Sequence, residues 1–319
     1  MKVLLTGCAG FVGSNILDYL LELKDIKIIG IDNFSTGKRQ HIAEHLNNKN
    51  FLFHEIDLKN KDGLESLDLS KVDLVIHLAA NADVRFGLDH PSKDLEENTI
   101  VTFNLLEIAR KFNIKKFAFS STGSIYGEQK VFPTPENTSF PIQTSLYGAS
   151  KLACEGLIQA YSEGYGMEVY IFRLVSIMGP RYSHGHVIDF YRNLLANPTE
   201  LNILGDGNQT KSYLHVRDCI SAIFLIINRS KERVNIYNLG VEDTCTVRES
   251  AKWIFEYMDL KPKLTFTGGV RGWVGDNPFI LLDINKLKSI GWENKFSIKD
   301  SILDTLNYLS SNSWILDES

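Results

Sequence analysis

The 319-residue sequence has little of what marks several protein classes. Its four cysteines, Cys8, Cys154, Cys219 and Cys245, form no C-x-x-C pair, so neither a zinc knot nor a disulfide framework is indicated, and a reducing cytoplasm is the expected setting. Prolines number only 8, with 44% hydrophobic and 23% charged residues, a composition far from disordered or collagen-like chains. No apolar run is long enough to span a membrane, and the opening stretch to Asn15 is too short and too interrupted by Gly7, Gly10 and Gly13 for a signal peptide. Basic residues do not predominate: 34 Lys+Arg stand against 39 Asp+Glu, a net charge of −5. No global positive field is available to hold a nucleic acid, so any anion site must be local.

What is present is a regular alternation of β-branched runs and amphipathic segments, the pattern of parallel strands joined by crossover helices. Strands are predicted over residues 2–7, 26–32, 50–56, 73–79, 116–121 and 168–174, with helices at 11–23, 93–112 and 147–164. The fold class is α/β, a doubly wound parallel sheet. After about Gly179 the regularity loosens into Gly/Pro/His-rich and polar turn-rich segments around a helix near 187–196, which predicts a smaller lobe. A strand at 235–240 and a helix at 247–258 are expected to return to the main sheet, making that lobe discontinuous. The division expected is a dinucleotide-binding domain at 1–178, with about 212–240 added to it, and a mainly substrate-binding lobe at 179–319.

Gly7-Cys8-Ala9-Gly10-Phe11-Val12-Gly13 follows the first strand and opens the first helix, the context in which a glycine fingerprint binds a dinucleotide. Residues without Cβ admit a pyrophosphate close to the backbone, and the helix N-terminus stabilises its charge. Asp32 ends the second strand roughly 20 residues beyond Gly13, where an acid accepts hydrogen bonds from the adenosine ribose and repels a 2′-phosphate. NAD rather than NADP is therefore expected, with Lys38 and Arg39 read as surface residues. Asp57 is the candidate acceptor for the adenine amino group, or a strand-end turn residue.

Tyr147 and Lys151 lie four residues apart on a predicted helix and so share a face. A nearby ammonium and an oxidised nicotinamide ring favour the phenolate, which makes Tyr147 a candidate proton acceptor. Taken alone, the pair also fits an interface tyrosine followed by a solvent lysine. The hydroxyl-rich run from Ser120 through Thr122 to Gly127, at the carboxyl end of a strand, points to the same crevice.

With these motifs, the chain resembles the extended short-chain dehydrogenase/reductase family, in its nucleotide-sugar epimerase/dehydratase branch. The resemblance implies that Thr122, Tyr147 and Lys151 handle a sugar hydroxyl beside a tightly held NAD. It implies cofactor contacts from Leu78, Ala79, Ala80, Asn98 and Ser120, and also from Asn33, Leu58 and Val175. The activity it implies is oxidation at C4 of a nucleoside-diphosphate sugar, most commonly 4-epimerisation, with a net C4 dehydrogenase or 4-keto reductase as the alternative and a non-catalytic NAD sensor as a third reading. Gly123 and Ser124 stand where dehydratases of the branch carry an acid, which disfavours 4,6-dehydration.

On the substrate side, Ser176 replaces the Asn of the family's R-x-F-N-x-x-G-P segment, and Lys211-Ser212 replaces an Arg-Asp pair. Lys211 would meet the diphosphate as a point charge, and Arg271 resembles the family's second diphosphate arginine. Val187 and the backbone of His186 are implied substrate contacts, while Asp83 and Arg85 either line the sugar or form a structural salt bridge. His184 and His186 lack the further ligands of a metal site, and none is expected. His41 and His45, one turn apart, read as a solvated helix face, and His77 as a packed residue beside the cofactor. In family homodimers the helices at 93–112 and 147–164 pair into a four-helix bundle, which is the implied assembly.

Overall fold

The computed structural model describes residues 1–84, 86–139, 142–273 and 276–316. Seven strands form one sheet: β1 (Lys2–Thr6), β2 (Lys27–Asp32), β3 (Phe51–Glu55), β4 (Leu74–His77), β5 (Lys116–Thr122), β6 (Glu168–Leu174) and β7 (Val234–Leu239). Their spatial order is β7-β6-β5-β4-β1-β2-β3, and every neighbouring pair is parallel. That order reverses direction between β1 and β4, where open α/β sheets bind ligands at the strands' carboxyl ends. Helices cover both faces, so the strands are apolar on both: Leu4, Val75, Phe117, Phe119 and Ile171 are buried on one side, Val3, Leu5, Ile76, Ala118 and Phe172 on the other.

Three helices matter for the site. The first, α1 (Phe11–Glu22), begins after Gly10 with no side-chain cap. The predicted helix over 93–112 is three consecutive pieces, Pro91–Asp94, a π-helical turn Leu95–Ile100, and α2 (Val101–Lys111). Such wide turns loosen the spacing of the helix face, a feature frequent at functional sites and invisible to a 3.6-residue pattern. The third, α3 (Leu146–Tyr165), starts sharply because the Ser145 hydroxyl accepts from Gly148 N at 3.0 Å, and it stops at Gly166 in the left-handed region.

All six early strands lie within two residues of expectation, and the strand expected at 235–240 joins the sheet edge beside β6. The helix expected to follow it back does not. That segment, α6 (Val247–Tyr257), comes after α4 (His186–Ala196) and α5 (Val216–Arg229), and it packs on α4 and on α7 (Ile298–Ser311), away from the sheet. Its strongly one-sided apolar face is covered by those helices, so amphipathicity identified the helix without identifying its partner.

Candidate active site

Two glycines of the loop leave no room for a side chain. Gly7 sits at φ +71°, and a Cβ there would come within 2.7 Å of Ala79 N, while one at Gly13 would lie 1.9 Å from the Gly7 carbonyl. The first amides of α1 are left uncapped beyond this loop, which suits them to a pyrophosphate. Beside it opens a cleft lined by Gly7, Gly10, Asp32, Asn33, Asp57, Leu58 and Leu78–Ala80, among others. Asp32 is buried. One of its oxygens accepts from Ala9 N at 2.9 Å and the other from Phe34 N at 2.9 Å, leaving a second acceptor position on each for ribose hydroxyls. Burial raises its pKa above the ordinary carboxylate range, opposed by those amides. Asp57 lines the same cleft, accepting from Lys59 N at 2.8 Å and Asn33 Nδ2 at 3.3 Å. Arg39, the cation that could have received a 2′-phosphate, is engaged by Glu55 at 2.6 Å and stacked 4.7 Å above Phe34. The donors, acceptors and space therefore fit NAD.

β5 delivers Ser120, Ser121 and Thr122 to the crevice floor. Thr122 caps the short 3₁₀ turn Gly123–Tyr126, accepting from Ser124 N at 3.1 Å, and its hydroxyl favours the ionised form of the Tyr147 phenol. Burial pushes that phenol up to about 12, with Thr122 pulling the other way. Lys151 is 2% exposed, and desolvation pulls its ammonium down to about 8. The shared helix face predicted for Tyr147 and Lys151 is present, but Lys151 Nζ donates to the Ser120 carbonyl at 2.9 Å and lies 4.7 Å from the Phe119 ring. The amine is thereby fixed to the strand end. Asn98, in the π-helical turn, donates to Ser150 Oγ at 2.9 Å, and that hydroxyl donates to the Tyr147 carbonyl at 2.8 Å. Ser120 Oγ donates to the His77 carbonyl at 3.4 Å. Val175 is buried at the end of β6, held through its amide to the Leu239 carbonyl.

His77 is packed as expected. Thr6 Oγ1 and Thr102 Oγ1 engage its two ring nitrogens at 2.8 and 3.0 Å, and burial lowers its pKa to about 3. The reading of His41 and His45 as a solvated helix face is corrected. They lie on two short 3₁₀ turns, His41 buried with Nδ1 2.9 Å from the Ala9 carbonyl and its ring against Trp314, and His45 2.7 Å from Asp18. One turn of separation cannot reveal that the glycine loop itself packs on the first ring.

The substrate-side residues are less convergent. Ser176 is exposed in the strand Ser176–Met178, which pairs with Tyr213–His215. Lys211 Nζ is 2.5 Å from buried Asp276 and 5.0 Å from the Trp273 ring, and Arg271 pairs with Glu128. Each cation thus already carries a carboxylate partner. His186 begins α4 with its ring turned to Ser250 Oγ at 2.6 Å, and desolvation holds its pKa near 3. Val187 is fully buried beside it. Asp83 takes part in the loop after β4 with Asn81, and Arg85 lies outside the described residues.

Two groups of residues went unread in the sequence. Asp94 and Asn81 belong to a buried amide–carboxylate cluster around Asn98, which the sequence does not signal because Asp94 and Asn98 stand in a run of mostly polar residues from His90 to Thr99. Glu155 accepts from Ser121 Oγ at 2.5 Å and from Arg173 at 2.8 Å, deep under Thr122. Its signal was available, since it follows Lys151 by one more helical turn on the same face.

A parallel sheet of this order, a glycine loop fitted to a dinucleotide and a Thr–Tyr–Lys set at the carboxyl end of the neighbouring strand β5 define an NAD-dependent enzyme of the short-chain type. The model of the NAD dependent epimerase/dehydratase family matches residues 3–240, and the chain belongs to that family. It is 34% identical to a Methanocaldococcus jannaschii protein provisionally named as a UDP-glucose 4-epimerase, over 97% of this chain and 99% of that one. The Thermotoga maritima UDP-glucose 4-epimerase solved with UDP-glucose superposes with a TM-score of 0.88 at 32% identity, covering 98% of this chain and 100% of that one. The Bacillus cereus UDP-glucuronic acid 4-epimerase, solved with UDP-glucuronic acid and NAD, gives 0.87 at 26% identity, with 98% and 99% covered.

Proposed function

We propose that this protein is an NAD-dependent 4-epimerase of a nucleoside-diphosphate sugar, with a UDP-sugar favoured by what its relatives are named for. The observation that carries the reading is the placing of Tyr147 and Lys151 on one face of α3 at the carboxyl end of β5, with Lys151 Nζ donating to the Ser120 carbonyl at 2.9 Å. NAD, when bound, supplies the acceptor and then the donor of the hydride exchanged at the sugar carbon. Tyr147 takes the proton from the C4 hydroxyl and later returns it to the ketone oxygen. Thr122 orients that oxygen. Lys151 holds the cofactor ribose and favours the ionised phenol. Gly7, Gly10, Phe11, Val12, Gly13, Asp32, Asn33, Asp57, Leu58, Leu78, Ala79, Ala80, Asn98, Ser120 and Val175 complete the cofactor site in this reading. Ser176, His186, Val187, Lys211, Arg271, Asp83 and Arg85 belong to the sugar-nucleotide side, where Lys211 and Arg271 exchange carboxylate for diphosphate on binding.

The absence of an acid at Gly123 and Ser124 supports epimerisation over dehydration. A net C4 dehydrogenase uses the same groups and releases the ketone, leaving NADH, whereas a 4-keto reductase takes the ketone up from outside and leaves NAD. Residues 1–178 with about 212–240 form the cofactor domain in this account, and the rest of 179–319 the substrate lobe. A homodimer through the outer faces of α2 and α3 is supported by the partly exposed aromatic row Phe103, Tyr161 and Tyr165. Among the described residues no helix is long and apolar enough to cross a membrane, and a cytoplasmic setting is part of the proposal. Incubation with UDP-glucose, UDP-galactose, UDP-N-acetylglucosamine and UDP-glucuronic acid, followed by proton NMR, should show a C4 epimer of one of them at equilibrium. A stable ketone with accumulating NADH would favour the dehydrogenase.

A further inference from the structure

Asp94 is 1% exposed at the end of the helical turn Pro91–Asp94, where the π-helical turn begins. A carboxylate so far from water is costly unless its surroundings need it. Oδ1 accepts from Asn81 Nδ2 at 2.9 Å and from Asn98 Nδ2 at 3.3 Å, while Oδ2 is buried without a hydrogen-bond partner. Asn98 closes the ring, since its Oδ1 accepts from Asn81 N at 2.9 Å and its Nδ2 also reaches Ser150 Oγ, one step from the Tyr147 carbonyl. One carboxylate oxygen thus ties the loop after β4, the π-helical turn and α3 together.

Charge balance gives the same residue a second task. Lys151 is buried, and the acidic groups that act on it are Cys154, Asp94 and Glu155. Both oxygens of Glu155 are already held by Arg173, and one also by Ser121, so its charge is spent on a neighbouring cation. The Cys154 thiol is raised by burial and carries no charge near neutrality. Asp94 is the remaining carboxylate, and its field reaches Tyr147 as well. The other charged or titratable groups facing this cluster are Asp83 in the loop and His77, which burial keeps neutral.

We propose that Asp94 is a positioning residue of the reaction site: its carboxylate clamps Asn81 and Asn98 into one unit that sets the loop after β4 against α3, and it is the counter-charge for Lys151. The inference rests on the reading of Tyr147 and Lys151 as the proton-handling pair. Replacing Asp94→Asn keeps shape and removes the charge. Lys151 then loses an attraction that holds its proton, and Tyr147 loses a repulsion that opposes ionisation, so both limbs of the kcat profile move to lower pH.

The test uses the purified, NAD-loaded enzyme with whichever UDP-sugar it epimerises, reading kcat and KM across pH together with thermal melting. D94N should lower kcat on the order of 10–100-fold with little change in KM, and shift both limbs downward. Wild-type kcat, or a loss of rate with both limbs in place, would overturn the proposal by leaving Asp94 a merely structural group. Should D94N fail to fold, G87A takes its place, because a Cβ there would meet Asp94 Oδ2 at 2.2 Å and displace a carboxylate that keeps its charge. Slower turnover in a folded G87A protein supports the clamp, and undiminished turnover overturns it. Y147F run alongside separates the two levels: an inactive Y147F with an unaffected D94N sinks the inference alone, whereas an active Y147F sinks the reading beneath it.

Discussion

At the residue scale, the phenol and the ammonium face opposite electrostatic problems. Tyr147 stands near 12 and Lys151 near 8, both displaced by desolvation toward the neutral form. A phenol so raised is inert near neutrality unless positive charge is brought to it, and this makes activity depend on a charged Lys151. With the phenol near 12 and the ammonium near 8, the population holding a phenolate beside an ammonium grows as pH rises toward about 8 and levels off above it, so a kcat profile measured between pH 6 and 10 should rise and then flatten. Tyr147→Phe should remove turnover by a factor on the order of 10²–10⁴ while leaving bound NAD, read by absorbance of the released cofactor. Retained turnover would contradict the proton role. His77 carries a different pH consequence. Its folded pKa of about 3 lies below the unfolded value of 6.5, so the unfolded chain binds the extra proton and stability is lost as pH falls from about 6.5 toward 3. The melting temperature should drop over that window, and less steeply in His77→Gln.

Among the elements, the joint beneath the reaction site is the buried pair of Glu155 on α3 and Arg173 on β6, whose side chains are 1% and 4% exposed. Arg173 also donates to Tyr126 Oη at 2.7 Å and to the Glu136 carbonyl at 2.8 Å, and Tyr126 donates to Asn238 on β7 at 2.8 Å. Removing one member leaves the other charge buried and unpaired, so Glu155→Gln should cost about 3–5 kcal/mol in denaturant unfolding. A loss below about 1 kcal/mol, as for an exposed pair, would show that the network is not closed. The strands were legible because a buried parallel sheet writes itself as short apolar runs, and the glycine loop because steric contact at Gly7 and Gly13 admits nothing larger. The wide turn Leu95–Ile100 was not legible, since its hydrogen bonds to Asn81 and Ser150 come from elements distant in sequence. Likewise Tyr147 and Lys151 were placed on one face by spacing, whereas the anchoring of Lys151 to the Ser120 carbonyl required β5 to end where it does.

For the whole molecule, the sheet order fixes where chemistry can occur and the lobe fixes what is held there. The sequence pattern reached the first and only partly the second: α6 turned away from the sheet, and Lys211 and Arg271 were found paired to Asp276 and Glu128, partners that lie in or beside a turn-rich segment with no periodicity to read. If α2 and α3 form the bundle proposed, light scattering should give twice the 36.1 kDa chain mass, and a single-chain mass would remove the dimer. The central claim is that one hydroxymethine carbon of a sugar nucleotide is oxidised and re-reduced without leaving the site. The most direct measurement is proton NMR of the NAD-loaded enzyme with a UDP-hexose in deuterated water. The account predicts a C4 epimer whose C4 proton retains protium, because the hydrogen returns from within the site and does not exchange with solvent. No epimer with any UDP-hexose, or deuterium at C4 in the product, would contradict it.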